Sequence, residues 1–175
     1  MQTARMNLKK QKNITLSLLV TYLIVLTWII LFKMETDFSI LKSMNLRNIN
    51  LIPFSSPLIV NGQVDISEII LNIAAFVPFG IYLSILKEKW SFTKKGIPIF
   101  GVSLAFETFQ YILAIGASDI TDLIGNTLGG MIGILVFTSI SYIFGDRTLK
   151  IVNGIALIGT IIMVAFIGLL MIINM

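Results

Sequence analysis

Five long apolar runs constrain the fold of this chain more than any other feature of its sequence. They cover about residues 14–32, 69–86, 97–115, 123–144 and 151–173, and the first contains no charged residue. A helix that spans a bilayer needs about 20 mostly apolar residues. Such a helix satisfies its own backbone hydrogen bonds in lipid. The runs therefore predict an all-α fold class: a polytopic transmembrane helix bundle with five spans.

Composition excludes several other classes of protein. Charged residues make up 13% of the chain, about half the share usual in soluble domains, which is about 25%. The apolar runs also lack the polar faces that helices of a soluble protein would need. Cysteine and histidine are both absent, which excludes disulfides, thiolate chemistry and the commonest general base. The net charge of +4 concerns membrane topology, and no nucleic-acid partner is predicted.

Lysine and arginine are distributed unevenly between the connections. Residues 1–13 form a basic tail with four of them, Lys87–Lys95 holds four more, and the loop after the fourth run adds Arg147 and Lys150. The alternate connections hold Lys33, Lys42 and Arg47. Because cytoplasmic loops carry the excess of Lys and Arg, this distribution predicts a cytoplasmic N-terminus and a C-terminus outside.

The connection Lys33–Glu68 is unusually long and is predicted to lie outside. It contains the apolar stretch "LRNINLIPFSSPLIV", Leu46–Val60, which Pro53 and Pro57 interrupt. Two interpretations of residues 33–68 are open. The stretch dips into the outer membrane interface or packs over the helix ends, or it is a plain extracellular loop with a short helix.

Polar residues interrupt three of the apolar runs. A carboxylate as deep as Glu107 costs about 2.5–3.5 kcal/mol on insertion scales, so we expect it to face other helices or a water-filled cavity. Gln110 shares its helical face, since it lies three residues further on. By the predicted topology, all the polar groups fall in the outer half of the membrane or at its outer surface. They are Asn72, Glu107, Gln110, Asp119, Asp122 and Asn126.

Glycines at every fourth position predict a close helix–helix contact. Gly125, Gly129 and Gly133 form two overlapping G-x-x-x-G steps, which let membrane helices approach closely. We expect the third span to be the neighbour, since a short loop joins it to the fourth. That packing would hold Glu107 and Gln110 near Asn126. Pro78 is expected to kink or loosen the second span.

Each of these residues also has a purely structural interpretation. Asp119 or Asp122 would serve as a helix cap, Gln110 and Asn126 as interhelical hydrogen bonds, and the glycines as packing alone. As a site, the carboxylates and amides could bind a cationic headgroup, a sugar or phosphate headgroup through a bridging cation, or a divalent cation at Asp119 and Asp122. They could also catalyse acid–base chemistry, with Glu107, Asp119 and Asp122 as the catalytic candidates. The sequence contains no nucleotide-binding or zinc-protease motif, and no cofactor is predicted.

Four motifs follow one another along the chain. They are "NLIPF" at Asn50–Phe54, "LNIAAFVPFGIYL" at Leu71–Leu83, "SLAFETFQYIL" at Ser103–Leu113 and "SDITDLIGNTLGGMIG" at Ser118–Gly133. In this order they resemble the VanZ-like family. The resemblance covers about residues 50–144 of a membrane domain that spans residues 14–175. It implies that Asn50 joins the six polar residues named above as a binding residue. It also implies structural roles for Pro53, Pro78, Gly80, Gly129 and Gly133.

The resemblance implies a small multi-pass protein of the bacterial cell membrane, of the kind linked to resistance to the glycopeptide teicoplanin. The leading hypothesis is a non-enzymatic protein that binds or organises an outer-leaflet lipid or a lipid-linked envelope precursor. The alternatives are an intramembrane enzyme that acts on a lipid headgroup through the carboxylates, and a small transporter or accessory subunit. A homo-oligomer is compatible with each hypothesis.

Overall fold

The computed structural model describes residues 2–31, 46–54, 58–60 and 63–173. Within them lie five long helices: α1 Gln2–Leu31, α2 Ser67–Leu86, α3 Phe92–Leu113, α4 Ile120–Phe144 and α5 Thr148–Ile173. Four short strands accompany them: β1 Leu46–Asn50, β2 Leu58–Val60, β3 Gln63–Asp65 and β4 Ile115–Asp119. The predicted all-α membrane bundle is confirmed, and the strands are an addition to it.

The helices that could cross a membrane differ in number from the prediction. Four stretches are long and apolar enough: Asn7–Leu31, Ser67–Leu86, Phe92–Leu113 and Ile120–Leu170. The prediction of five spans is therefore one too many by this measure. The last stretch has 51 residues and includes both α4 and most of α5. A single 3-10 turn, Gly145–Arg147, joins these two helices, so no loop divides the fourth predicted span from the fifth.

The strands form two small pairs outside the helices. β1 pairs in parallel with β4, and the ladder ends with Asn50 opposite Asp119. β2 and β3 form an antiparallel pair. Of the connection 33–68, residues 33–45, 55–57 and 61–62 lie outside the described residues, and Pro57 is among them. The described part before Ser67 contains strands and a turn and no helix.

The core lies between the middles of α1 to α4. Phe76 of α2 is fully buried and meets Phe79 and Phe106 edge to face. The hydroxyl of Tyr22 in α1 donates to the carbonyl oxygen of Ala75 at 2.6 Å. This hydrogen bond ties α1 to α2 close to Pro78, which lies inside α2 without ending it.

Helix α1 connects two opposite ends of the bundle. Near its start, Lys12 forms an ion pair with Glu88 at 3.2 Å, and Thr15 donates to Asn153 of α5 at 2.8 Å. Near its end, the carbonyl oxygen of Ile30 accepts a hydrogen bond from Gln110 of α3. About 18 residues separate Lys12 from Ile30, which is roughly 27 Å of helix. The hydrocarbon core of a bilayer is about 30 Å thick.

The glycine stripe of α4 faces α2, and the prediction that α3 lies against it is wrong. A Cβ atom on Gly129 would overlap the carbonyl oxygen of Ile73, and one on Gly133 would overlap that of Val77. A Cβ atom on Gly80 of α2 would in turn overlap the carbonyl oxygen of Gly130. Helix α2 brings its own glycine to the contact and can approach closely. A short loop made α3 a neighbour of α4 along the chain, but did not make it the closest helix.

Candidate functional site

The junction between β4 and α4 is the centre of the polar cluster. Asp119 is the last residue of β4 and the N-cap of α4, and its Oδ1 accepts the Thr121 backbone N–H at 2.7 Å. The capping interpretation of Asp119 is therefore correct. Its second oxygen, Oδ2, accepts from Asn50 Nδ2 at 2.9 Å. The same carboxylate thus caps a helix and holds the end of β1 in place.

Glu107 is tied to this junction from inside the bundle. Helix α3 ends at Leu113, and the left-handed conformation of its C-cap residue, Ala114, turns the chain directly into β4. This reversal brings the Asp119 backbone N–H to 2.8 Å from Glu107 Oε2, to which it donates. The side chain of Glu107 is only 3% exposed. As predicted from its depth in the sequence, the carboxyl group faces protein.

Asn72 and Asp122 connect α2 to α4 near the start of each helix. Asn72 Nδ2 donates to Asp122 Oδ1 at 2.7 Å. A Cβ atom on Gly125 would lie 3.7 Å from that of Asn72, an ordinary contact distance. The glycine surface therefore begins directly beside the Asn72–Asp122 pair, and the spacing of α2 and α4 sets the geometry of this pair.

Gln110 and Asn126 form interhelical hydrogen bonds. Gln110 Nε2 donates to the carbonyl oxygen of Ile30 at 2.9 Å, which joins α3 to α1. Asn126 Nδ2 donates to Ser103 Oγ at 3.1 Å, which joins α4 to α3, and both side chains are fully buried. The predicted neighbours of Asn126 were Glu107 and Gln110. Its observed partner lies one turn before Glu107 on the same helix.

The sequence analysis missed two residues of this cluster. Ser103 lies four residues before Glu107 and seven before Gln110, so the three share one face of α3. That spacing was the signal that could have identified it. Thr121 accepts the backbone N–H of Phe54 at 3.1 Å. Only the pairing of β1 with β4 brings these two residues together, and no sequence pattern indicates it.

The buried part of the cluster has acceptor atoms in excess. Glu107 Oε1, Gln110 Oε1 and Asn126 Oδ1 are buried without a hydrogen-bond partner. The amide groups of Asn50, Asn72 and Gln110 donate to carboxylate or carbonyl oxygens, which fixes their orientation because those partners can only accept. A group that satisfies these acceptor oxygens must therefore donate a hydrogen bond to them, as a hydroxyl, an ammonium group or water does, or coordinate them as a metal cation.

The cluster has a buried side and an accessible edge. Asn50, Asp119 and Asp122 are partly exposed, whereas Glu107 and Asn126 are buried. We call the three partly exposed residues the rim. The seven predicted binding residues all form hydrogen bonds between separate segments of the chain. Asn50 and Glu107 both bond to Asp119. Asn72 bonds to Asp122, Gln110 to Ile30 and Asn126 to Ser103. Among the described residues, no group of three His, Cys, Asp or Glu side chains could hold a metal ion, and a divalent cation at Asp119 and Asp122 stays a prediction.

Comparison with known proteins gives one consistent result. A family model described as VanZ/LLP1 matches residues 19–145. Protein VanZ of Enterococcus faecium is 36% identical over 126 residues, which cover 72% of this chain and 74% of that protein. No solved structure gives a significant match. The matched region contains β1, α2, α3, β4 and α4, and therefore every residue of the cluster.

Proposed function

The chain belongs to the VanZ/LLP1 family, and on that premise we propose that it binds or organises an outer-leaflet lipid or a lipid-linked envelope precursor through the rim. The observation that carries this proposal is the convergence of hydrogen-bonding side chains from separate elements at one end of a membrane bundle. Asn50 comes from β1, Asn72 from α2 and Glu107 from α3, and Asp119 and Asp122 flank the start of α4. Buried polar groups in a membrane protein commonly mark functional sites.

In our proposal this end of the bundle faces the outside of the cell. The opposite end carries the Lys12–Glu88 ion pair and the basic segments of the N-terminus and of Lys87–Lys95. Positive residues favour the cytoplasmic side. The length of α1 between Lys12 and Ile30 matches the thickness of the hydrocarbon core. The rim then lies at the level of the outer headgroups.

The long stretch Ile120–Leu170 counts once by length and composition, and in this arrangement it reverses direction at the turn Gly145–Arg147. As one straight helix its 51 residues would measure about 76 Å, more than twice the hydrocarbon thickness of about 30 Å. Asn153, near the start of α5, donates to Gln11 near the start of α1 at 3.0 Å. Helix α5 therefore begins at the basic end, and the proposal places the C-terminus outside.

The chemistry of the cluster favours a headgroup rich in hydrogen-bond donors. The rim carries the carboxylates of Asp119 and Asp122, and the interior behind it has acceptor oxygens left over. Sugar hydroxyls and ammonium groups donate to such oxygens. A lipid-linked glycan precursor or an aminated phospholipid fits this requirement, and a resistance effect against a glycopeptide that acts on outer-leaflet precursors would follow from masking or reorganising them.

The test is the lipid that copurifies with the intact protein. Mass spectrometry of the wild-type protein is expected to show one lipid class enriched over the bulk membrane. Asn50→Ala and Asp122→Ala should lose that enrichment, because each removes a rim group. Glu88→Ala is the matched control, since its carboxylate lies at the opposite end. Lipid of bulk composition in the wild type, or unchanged enrichment in both rim variants, would exclude the proposal.

A conservative variant separates binding from catalysis. In Glu107→Gln the amide oxygen can still accept the Asp119 N–H, so a lipid-binding protein should keep both its lipid and its effect on teicoplanin susceptibility. An enzyme that uses Glu107 as an acid or base should lose its activity almost completely. Loss of the susceptibility effect in Glu107→Gln, with the copurified lipid retained, would favour the enzyme.

A further inference from the structure

The turn Leu51–Phe54, between β1 and the rest of the long connection, is apolar and lies beside the rim. The side chains of Leu51, Ile52 and Phe54 are 71%, 68% and 60% exposed. Asn50, which precedes the turn, is hydrogen-bonded to Asp119. The turn therefore extends directly from the polar cluster and presents three large apolar side chains away from the protein.

The backbone of this turn has few donors left for water. Ile52 N–H donates to Asn50 Oδ1 at 3.2 Å, and Phe54 N–H donates to Thr121 Oγ1 at 3.1 Å. Pro53 has no N–H to satisfy. A segment can enter an apolar phase only if its backbone polar groups have partners within the protein. Asn50 and Thr121 supply such partners for the N–H groups of Ile52 and Phe54.

Phe54 has a backbone conformation that a bulky residue disfavours. Its φ of 57° lies in the left-handed region, which a bulky L-residue rarely adopts. Such a conformation persists only where the surroundings impose it, and here the hydrogen bond to Thr121 does so. The aromatic ring of Phe54 therefore points outward, where its exposure is favourable only if the surroundings are apolar.

The same end of the bundle has further exposed apolar side chains. Ile66, Ile70 and Leu71 are exposed at the start of α2, and Ile112 and Leu113 at the end of α3. In a membrane protein such helix surfaces face lipid. The apolar turn continues this lipid-facing surface to the edge of the rim.

We propose that Leu51–Phe54 inserts into the outer leaflet as an interfacial anchor, so that acyl chains pack against Leu51, Ile52 and Phe54 while the headgroup level coincides with the rim. The proposal rests on the proposed function for the identity of the headgroup, but the depth of the turn is measured independently of any headgroup. Amphipathic segments bind bilayers in this way, with apolar side chains buried about 5–10 Å below the surface.

The chain contains no cysteine, so single labelling sites can be introduced without removing native ones. Ile52→Cys carries a nitroxide label in the full-length protein, reconstituted in vesicles of phosphatidylethanolamine and phosphatidylglycerol. Collisions of the label with oxygen, which partitions into lipid, are compared with collisions with a water-soluble nickel chelate. Ile112→Cys is the lipid-facing reference and Asn48→Cys, an exposed residue of β1, is the reference outside the lipid.

The expected oxygen-to-nickel ratio of the Ile52 label is close to that of Ile112 and well above that of Asn48. A ratio equal to that of Asn48 would show the turn in water and overturn the proposal. Low accessibility to both reagents would show the turn covered by protein, such as a second copy of this chain, and would overturn it equally. Loss of lipid enrichment in the rim variants, with an aqueous Ile52 label, would retain the proposed function and exclude the anchor.

Discussion

The close backbone contact between Gly129 of α4 and Ile73 of α2 makes the sharpest prediction. In Gly129→Ala the new Cβ would overlap the carbonyl oxygen of Ile73 and lie 2.8 Å from its carbon. Because both obstructing atoms are backbone, no side chain can rotate away, and α2 and α4 must separate by about 1 Å to restore ordinary carbon contacts. Overpacking of this kind typically costs 1–3 kcal/mol, while Ala gains about 1 kcal/mol of helix propensity over Gly. Because the obstructing atoms are backbone, we expect a net loss of up to about 2 kcal/mol in the free energy of unfolding.

The same chain supplies graded controls for this substitution. A Cβ on Gly125 meets its neighbours at 3.7–3.8 Å, and one on Gly154 or Gly159 meets nothing within 4 Å. Gly154→Ala and Gly159→Ala should therefore be neutral or stabilising by up to about 1 kcal/mol, and Gly125→Ala should lie between the two groups. The measurement is reversible unfolding in mixed micelles, followed by tryptophan fluorescence. Equal effects of Gly129→Ala and Gly154→Ala would refute the assigned α2–α4 contact.

Two further predictions concern the cluster itself. Glu107→Gln should unfold no more easily than the wild type, because its amide oxygen still accepts the Asp119 N–H and no charge is buried. Glu107→Leu leaves that N–H without a partner and should lose about 1–3 kcal/mol in the free energy of unfolding, measured in the same assay. A greater loss in Glu107→Gln than in Glu107→Leu would contradict this assignment. For the Asn72–Asp122 hydrogen bond, a double-mutant cycle with Asn72→Leu and Asp122→Leu should give a coupling energy of about 1.5–3 kcal/mol, the range for hydrogen bonds to charged groups. Additive losses would show that the two side chains do not interact.

The sequence predicted the helices because a bilayer imposes a simple rule on composition. Runs of about 20 apolar residues are typical of transmembrane helices. Helices α2 and α3 follow the runs at 69–86 and 97–115 to within a few residues at most ends. The surroundings of Glu107 could also be predicted from its depth, since an intramembrane carboxylate must face protein or water. Whether α4 and α5 are divided by a loop depended on the local backbone at Gly145, which hydropathy does not report.

The remaining features depend on contacts between distant segments. Asn50 and Asp119 are 69 residues apart in the chain, and a parallel pair of five-residue strands leaves no periodic pattern that distinguishes it from a loop. The partner of the glycine stripe was wrongly predicted for a related reason. Adjacency along the chain favoured α3, but the closest approach goes to the helix with the smallest opposing residue. Gly80 provides it on α2, whereas α3 presents Ile99 to Gly130.

The glycine contact and the rim both depend on the distance between α2 and α4. Gly125 packs beside Asn72, and Gly129 packs against Ile73, the next residue of α2. The distance between α2 and α4 at this level therefore fixes the length of the Asn72–Asp122 hydrogen bond. Asp119 begins the same helix and holds both Asn50 and, through its backbone, Glu107. A separation of α2 from α4 by about 1 Å exceeds the tolerance of a hydrogen bond. Residues that never reach the membrane surface thus set the geometry of those that do.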